Sequence, residues 1–175
     1  MLNIRPHQKG VHGFTLIELM VSLVVLGILL SIAMPSFRAW MLNIQIRNAS
    51  ESILTGIQRA RAEAVGRNTG VTFVIAANSS WTVNVINPAS VIETRLSSEG
   101  SEKVTRTILP DGATTLTFSN LGLVVTNGDG SASLQQIDFT ASGANRNMRI
   151  VIGAGGSARM CDPSLPTGSN PRACN

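Results

Sequence analysis

The chain has 175 residues, of which 43% are hydrophobic and 14% are charged, and its net charge is +4. Both histidines, His7 and His12, lie in the first 13 residues together with Arg5 and Lys9. If that segment were removed, the net charge would fall to +2 and no imidazole would remain, which would exclude histidine-based catalysis and histidine metal ligation. The length is enough for one membrane segment and one compact domain.

The first informative stretch in chain order is an apolar run that follows a basic leader. Residues 14–34 number 21, close to the ~20 that cross a hydrocarbon core as a helix, and Glu18 is their only charged residue. Arg5 and Lys9 should hold the N-terminal side in the cytoplasm, which would place the bulk of the chain across the inner membrane. A carboxylate deep in lipid costs about 3 kcal/mol, so Glu18 needs a positive partner or a position at the headgroups.

Two other interpretations of this run stay open. The small-x-small triplet at residues 31–33 would suit an ordinary secretory cleavage site, although the apolar run is longer than a usual signal core. The run could also be an uncleaved anchor. In either case, residues 14–34 are predicted to form a helix that enters the membrane.

The junction at Gly13 and Phe14, with Glu18 four residues later, resembles the class III signal of type IV pilins and type II secretion pseudopilins. The resemblance implies that a prepilin peptidase cuts after Gly13 and that the new terminal Phe14 is methylated. It implies that Glu18 pairs with the amino group of a neighbouring subunit during assembly. Pro35 resembles the proline that is tied to local helix melting in pilin filaments, although a plain kink is the other interpretation.

The helix is predicted to continue through residues 35–66 as an amphipathic segment. Apolar residues recur at steps of three and four and predict one buried face, comprising Ile46, Ala49, Ile53, Leu54, Ile57, Ala60 and Ala64. Gly66 is predicted to end the helix. The segment that follows, with Arg67-Asn68 and Val71-Thr72, resembles the place where pseudopilins of the GspH/FimT family leave the helix for their first strand.

After Gly70 the apolar period changes from that of a helix to that of strands. Segments rich in Val, Ile and Thr, separated by Gly, Pro and Asn turns, predict eight strands at residues 71–76, 81–86, 91–96, 104–109, 114–118, 122–125, 134–140 and 148–152. Trp81 is predicted to pack in the core, and residues 127–130 to form a glycine turn rather than a calcium loop. The expected fold class is α+β: a long N-terminal membrane-spanning helix, the pilin stalk, whose C-terminal half packs on an antiparallel sheet or sandwich formed by residues 67–175.

The tail contains the two cysteines of the chain, Cys161 and Cys174. In an oxidising periplasm they should pair and staple the C-terminal end, while free thiols are the alternative. A terminal loop of this composition resembles that of FimT/FimU-type minor pilins, which favours a pilus.

No cofactor, metal site or enzymatic constellation is expected, so the sequence indicates a structural interaction protein. The resemblance implies a minor pilin that helps to prime a type IV pilus; the alternative is a minor pseudopilin of a type II secretion system. The implied partners are a prepilin peptidase, other major and minor pilins or pseudopilins, the inner-membrane assembly platform and membrane lipid.

Binding to DNA is a further hypothesis, because some FimT-type pilins bind DNA through a C-terminal Gly-Arg-x-Arg motif. The corresponding residues here are Gly156-Ser157-Ala158-Arg159, so the first arginine is missing. A basic edge for phosphates could still form from Arg146, Arg149, Arg159 and Arg172. No aromatic residue lies between them to stack bases.

Overall fold

A computed structural model describes residues 13–76, 80–96, 103–168 and 170–174. The chain divides into two compact units, of which the first ends at Phe37 and the second begins at Arg38. One helix, α1 (Leu16–Gly66), precedes nine strands in the described residues: β1 (Val71–Ile75), β2 (Trp81–Val85), β3 (Ser90–Arg95), β4 (Thr105–Leu109), β5 (Thr115–Phe118), β6 (Val124–Val125), β7 (Gln136–Thr140), β8 (Met148–Ile152) and β9 (Ala158–Cys161).

The first unit contains the apolar beginning of α1. The helix starts at Leu16, two residues later than the membrane segment predicted from residue 14, because Thr15 caps it: the Glu18 amide donates to Thr15 Oγ1 at 3.3 Å. Its apolar side chains through Met34 are all exposed, and the helix is long and apolar enough to cross a membrane. Pro35 lies within the helix, which continues beyond it. Residues 1–12, most of the predicted leader, lie outside the described residues.

The second unit packs the remainder of α1 against two sheets. One sheet has the strand order β3-β2-β1-β5-β6 and the other the order β4-β7-β8-β9, and every pairing between these strands is antiparallel. Side chains from α1 and both sheets share one hydrophobic core, in which the largest buried members are Trp81, Phe73, Phe118 and Phe139. Burying apolar surface on one face of each element is what holds these layers together.

The predicted apolar face of α1 is the face that the sheets cover. Six of its seven residues are buried and Leu54 is partly buried. Ser50 and Gly56 are also buried, although the apolar pattern did not predict them as part of this face. Gly56 lets the helix lie close to two aromatic side chains, because a Cβ at this position would lie 2.8 Å from Phe73 Cε2 and 3.0 Å from Trp81. Trp81 is 2% exposed, and its indole N–H donates to Ser52 Oγ at 3.0 Å, so the prediction that it packs in the core is confirmed.

All eight predicted strands are present, with boundaries that differ by no more than two residues at either end. The ninth strand, β9, was missed because its four residues contain no β-branched side chain to signal a strand. It forms through non-local pairing with β8, where Cys161 lies opposite Arg149 and Ala158 opposite Ile152. This added edge strand carries Cys161 and Arg159, two of the predicted site residues.

Candidate assembly and anion-binding sites

The predicted processing and assembly residues lie at the head of α1. Gly13 and Phe14 precede the helix, and the Phe14 side chain is 86% exposed. Glu18 is exposed in the first turn, where the positive end of the helix dipole favours a carboxylate. In the uncut chain the Phe14 nitrogen belongs to a peptide bond and carries no charge, so an ion pair with Glu18 requires cleavage after Gly13. The roles of these three residues and of Pro35 stay predictions.

The cysteines are paired, which confirms the predicted disulfide. Cys161 at the end of β9 is bonded to Cys174, with their Cα atoms 5.1 Å apart. Next to the bridge, the Asp162 amide donates to the Arg172 carbonyl at 2.7 Å, while Ala173 is 1% exposed. Closing a loop of this size stabilises a fold by ~3 kcal/mol in the chain-entropy model. The bridge therefore fastens the C-terminal segment to the edge of the β4-β7-β8-β9 sheet.

The four arginines of the predicted basic edge differ in their surroundings, because one of them is paired with a carboxylate and the other three are exposed. Arg149 on β8 makes a bidentate ion pair with Asp138 on β7, with nitrogen–oxygen distances of 2.5 and 2.9 Å. The hydrogen bond that Arg149 donates to Asp138 raises the pKa of Arg149 above its ordinary value. The other three arginines are exposed: Arg146 in the β7–β8 loop, Arg159 on β9 and Arg172 in the tail. The carboxylate beside Arg149 weakens the predicted DNA edge, which stays a prediction.

A structural feature that the sequence did not indicate is the contact between two glycine turns. Gly122 and Gly156 have φ angles of +73° and +78°, and a Cβ on Gly156 would lie 2.0 Å from the Gly122 carbonyl oxygen. Arg61 of α1 joins the two turns, because its Nε donates to the Gly122 carbonyl at 3.1 Å and its Nη2 to the Gly155 carbonyl at 3.3 Å. Beside this junction lies an open groove of about 670 Å³, lined by Gln58, Arg61, Ala62, Val65, Gly66, Gly156, Ser157 and Ala158.

The turn at residues 127–130 is organised by hydrogen bonds within the chain. Asn127 is 5% exposed, and its Oδ1 accepts a hydrogen bond from Thr117 Oγ1 at 2.8 Å. Its Nδ2 lies 3.1 to 3.2 Å from the carbonyl oxygens of Thr115, Ser131 and Ala132. Asp129 accepts hydrogen bonds from the amide and hydroxyl of Ser131, which lower its pKa. Across the described ranges no group of three His, Cys, Asp or Glu side chains is placed to hold a metal ion.

Comparison with known proteins agrees with this architecture. Residues 8–34 match the model of the prokaryotic N-terminal methylation motif, and residues 49–161 match the family model described as type II transport protein GspH. The chain belongs to the GspH family. The predicted resemblance to this family is therefore confirmed.

Individual proteins are similar to parts of this GspH-family chain. It is 34% identical over 86 residues to a fimbrial protein of Moraxella nonliquefaciens, a match that covers 43% of the chain and 56% of the relative. Two crystal structures of the type IV minor pilin FimU from Pseudomonas aeruginosa are similar to it. One has 16% identity and a TM-score of 0.50 over 74% of this chain and 99% of FimU. The other has 17% identity and a TM-score of 0.49 over 76% and 97%. At such identity the likeness shows the fold alone.

The family and the fold together define the class of protein. The N-terminal methylation motif, the apolar helix and the antiparallel domain are those of a type IV pilin-like protein, either a minor pilin or a pseudopilin. Family and fold are those of structural pilins rather than of enzymes. The motif and the apolar helix also indicate membrane anchoring.

Proposed function

We propose that this chain is a minor pilin of a type IV pilus that helps to prime filament assembly at the inner membrane. In this proposal residues 14–34 span the membrane, the N-terminus is cytoplasmic and residues 67–175 are periplasmic. The observation that carries the proposal is the beginning of α1: Glu18 in the first turn of a helix whose apolar side chains are exposed on all sides, within a methylation motif.

Processing by a prepilin peptidase would create the charge that assembly needs. Cleavage after Gly13 turns the Phe14 nitrogen into an amino group, and Glu18 pairs with that group on a neighbouring subunit. The apolar helix then moves from lipid into a bundle of pilin helices. Since lipid is as apolar as the bundle, this transfer gains little from the hydrophobic effect. The ion pair therefore acts mainly on the axial register of the subunit.

Two observations support a pilus over a secretion system. The curated relative from Moraxella nonliquefaciens is named a fimbrial protein, although the chain spans only 56% of its length. The disulfide-closed tail between Cys161 and Cys174 resembles that of FimT/FimU-type minor pilins. The second candidate is a minor pseudopilin of a type II secretion system, and the description of the matching family model, type II transport protein, favours it. The fold is shared by both.

A clean deletion of the gene, scored in one strain for two outputs, separates these candidates. The outputs are surface pili with twitching motility and the set of proteins in the culture supernatant. Loss of pili with normal secretion is the expected result. Retained pili with lost exoproteins would make the protein a pseudopilin and overturn the proposal.

Complementation of that deletion tests the role of Glu18. The Glu18→Gln variant keeps the shape of the side chain and removes its charge, so it should enter the membrane and be cleaved but fail to restore pili. Glu51→Gln is the matched control, because Glu51 is a carboxylate of the same helix whose Oε1 forms an ion pair with Arg47 Nε at 2.7 Å. If Glu18→Gln restores pili as well as the wild type does, the ion-pair mechanism is wrong.

A further inference from the structure

The outer edge of β9 carries backbone groups that point away from its sheet. In an antiparallel ladder, consecutive residues direct their N–H and C=O groups alternately toward the paired strand and away from it. The Asp162 amide points away from β8, because it donates to the Arg172 carbonyl in the tail at 2.7 Å. Ala158 and Met160 lie four and two residues earlier, in a segment that pairs with β8 without a register shift. Their backbone groups therefore point away from β8 as well.

The tail shows that this edge accepts a further strand. Asp162 and Ala173 form a parallel bridge, so the tail already pairs with the chain directly after β9. Strand β9 is the last strand of its sheet, and within the described ranges no segment pairs with its outer edge at Ala158 or Met160. An unpaired edge of this kind is a template for a strand from another chain.

The two faces of β9 differ in chemistry. Ala158 packs against the core and lines the groove beside Arg61, whereas the next residue, Arg159, points to the opposite face and is exposed. Its neighbour across the ladder is the apolar Val151 of β8. Among the residues that the structure describes, no carboxylate pairs with Arg159. A strand added to this edge would place one side chain beside Arg159 and the next one in the groove.

The groove itself combines apolar walls with a positive charge. Ala62 and Val65 of α1 lie on one side of it and Ala158 on the other, and Arg61 is the charged residue among those that line it. Arg61 donates to the carbonyls of Gly122 and Gly155, which are neutral, so these partners leave its charge uncompensated. The groove therefore suits an apolar side chain of a segment that carries negative charge.

We infer that β9 accepts an extended, acidic segment of a neighbouring pilin subunit as an added strand. The backbone of this segment pairs with the outward groups of Ala158 and Met160. Its carboxylates lie beside Arg159, and the alternate apolar side chains enter the groove. The inference rests on the proposed function in one respect, because it takes the neighbour to be a pilin subunit. Backbone pairing supplies affinity, and the alternation of charge supplies the choice of neighbour.

The test measures amide hydrogen exchange by NMR on the full chain in detergent micelles, with two synthetic hexapeptides as probes. One peptide alternates valine with glutamate and the other alternates valine with lysine. When about 90% of the chain has bound the acidic peptide, exchange at Ala158 and Met160 should slow about tenfold, because it proceeds from the unbound tenth. The Arg159 amide points toward β8 and is protected in both states, so it is an internal control.

The charge of the edge is tested by the ratio of the two affinities. The glutamate peptide should bind about fivefold more tightly than the lysine peptide, because its carboxylates lie beside Arg159. Arg159→Gln should reduce this ratio to roughly half or less. Arg146→Gln is the matched control, since it removes the same charge from an exposed arginine of the β7–β8 loop, and it should keep the ratio. Equal affinities in the wild type, or equal effects of the two variants, would overturn the inference.

The backbone pairing is tested by Ala158→Pro. This variant removes one outward N–H, and proline is tolerated on an edge strand whose N–H faces outward. It should weaken binding of the glutamate peptide about fivefold or more without lowering the urea unfolding midpoint. If the variant fails to fold, the exchange measurement on the wild type decides. Binding without slower exchange at Ala158 and Met160, or no binding of either peptide, would overturn strand addition.

Expression of Ala158→Pro in the deletion strain tests whether the added strand comes from a pilin subunit. The variant should accumulate to the wild-type level and restore fewer surface pili than the wild type does. Normal pili with this variant, in a strain whose deletion lacks pili, would overturn the assignment of the segment to a pilin subunit. A deletion that keeps its pili would count against the proposed function instead, while the peptide measurements decide strand addition independently.

Discussion

Replacing Gly156 by alanine should destabilise the domain through two separate effects. Gly156 has a φ of +78°, a conformation that costs an L-residue about 1–2 kcal/mol. The added Cβ would also lie 2.0 Å from the Gly122 carbonyl oxygen, more than 1 Å inside an ordinary C···O contact of about 3.3 Å. Because the obstacle is backbone, one of the two turns must move, and overpacking of this kind costs about 1–3 kcal/mol. We expect a total loss of about 2–5 kcal/mol.

Gly130 provides a matched control, because its φ is +74° and nothing lies within 4 Å of the position of its Cβ. Gly130→Ala should therefore show the conformational cost alone, about 1–2 kcal/mol. The assay is urea unfolding of the full chain in detergent micelles, followed by the fluorescence of buried Trp81 in a Trp40→Phe background. Equal unfolding midpoints for the two variants would refute the argument that the Gly122–Gly156 contact constrains the fold.

Three further predictions use the same unfolding assay. Asn127→Ala should cost about 2–4 kcal/mol, because it leaves the buried Thr117 hydroxyl and nearby carbonyls unsatisfied; a loss below 1 kcal/mol would contradict this. Replacing both Cys161 and Cys174 by serine should cost ~3 kcal/mol, and reduction of the wild type should give the same midpoint as the double variant. The pKa of Glu63 in the folded chain is lowered, chiefly by the hydrogen bond that Arg67 donates to it. The ionised Glu63 therefore stabilises the fold above the pKa of the unfolded chain, near 4.5, and this stabilisation is lost as the pH falls through the lowered pKa of the folded chain. Glu63→Gln should therefore be less stable than the wild type at pH 7 by about 0.5 kcal/mol and equal to it at pH 2, and a difference that persists at pH 2 would exclude the ion pairs as its cause.

Local patterns in the sequence predicted most of the fold. The apolar steps of three and four in α1 predicted the buried face, since a helix covered on one side must repeat with its own period. The strands were predicted by β-branched residues between Gly, Pro and Asn turns, and the burial of alternate residues in β1 and β2 shows the same alternation. These signals depend only on neighbours in the chain, so one sequence is enough to show them.

Features that depend on distant residues were not predicted. Arg61 donates hydrogen bonds to carbonyls 61 and 94 residues away in the chain, and no local pattern in the sequence indicates these contacts. The partner of Arg149 is Asp138 on the adjacent strand, and this pairing follows from strand register rather than from spacing in the sequence. The same reason explains the missed strand β9. The predicted basic edge included Arg149 because the sequence alone cannot show which arginines already have a carboxylate partner.

The residues that stabilise the subunit and the residues proposed for assembly belong to separate sets. Phe73, Trp81 and their neighbours are buried in the second unit, whereas Phe14 and Glu18 are exposed at the head of α1. Glu18→Gln should therefore leave the urea midpoint of the domain unchanged while it stops pilus formation. Gly156→Ala should lower the midpoint and reduce pili only as far as the amount of folded subunit falls. A shifted midpoint in Glu18→Gln would show that Glu18 acts through folding, and the loss of pili in that variant could no longer be assigned to the ion pair.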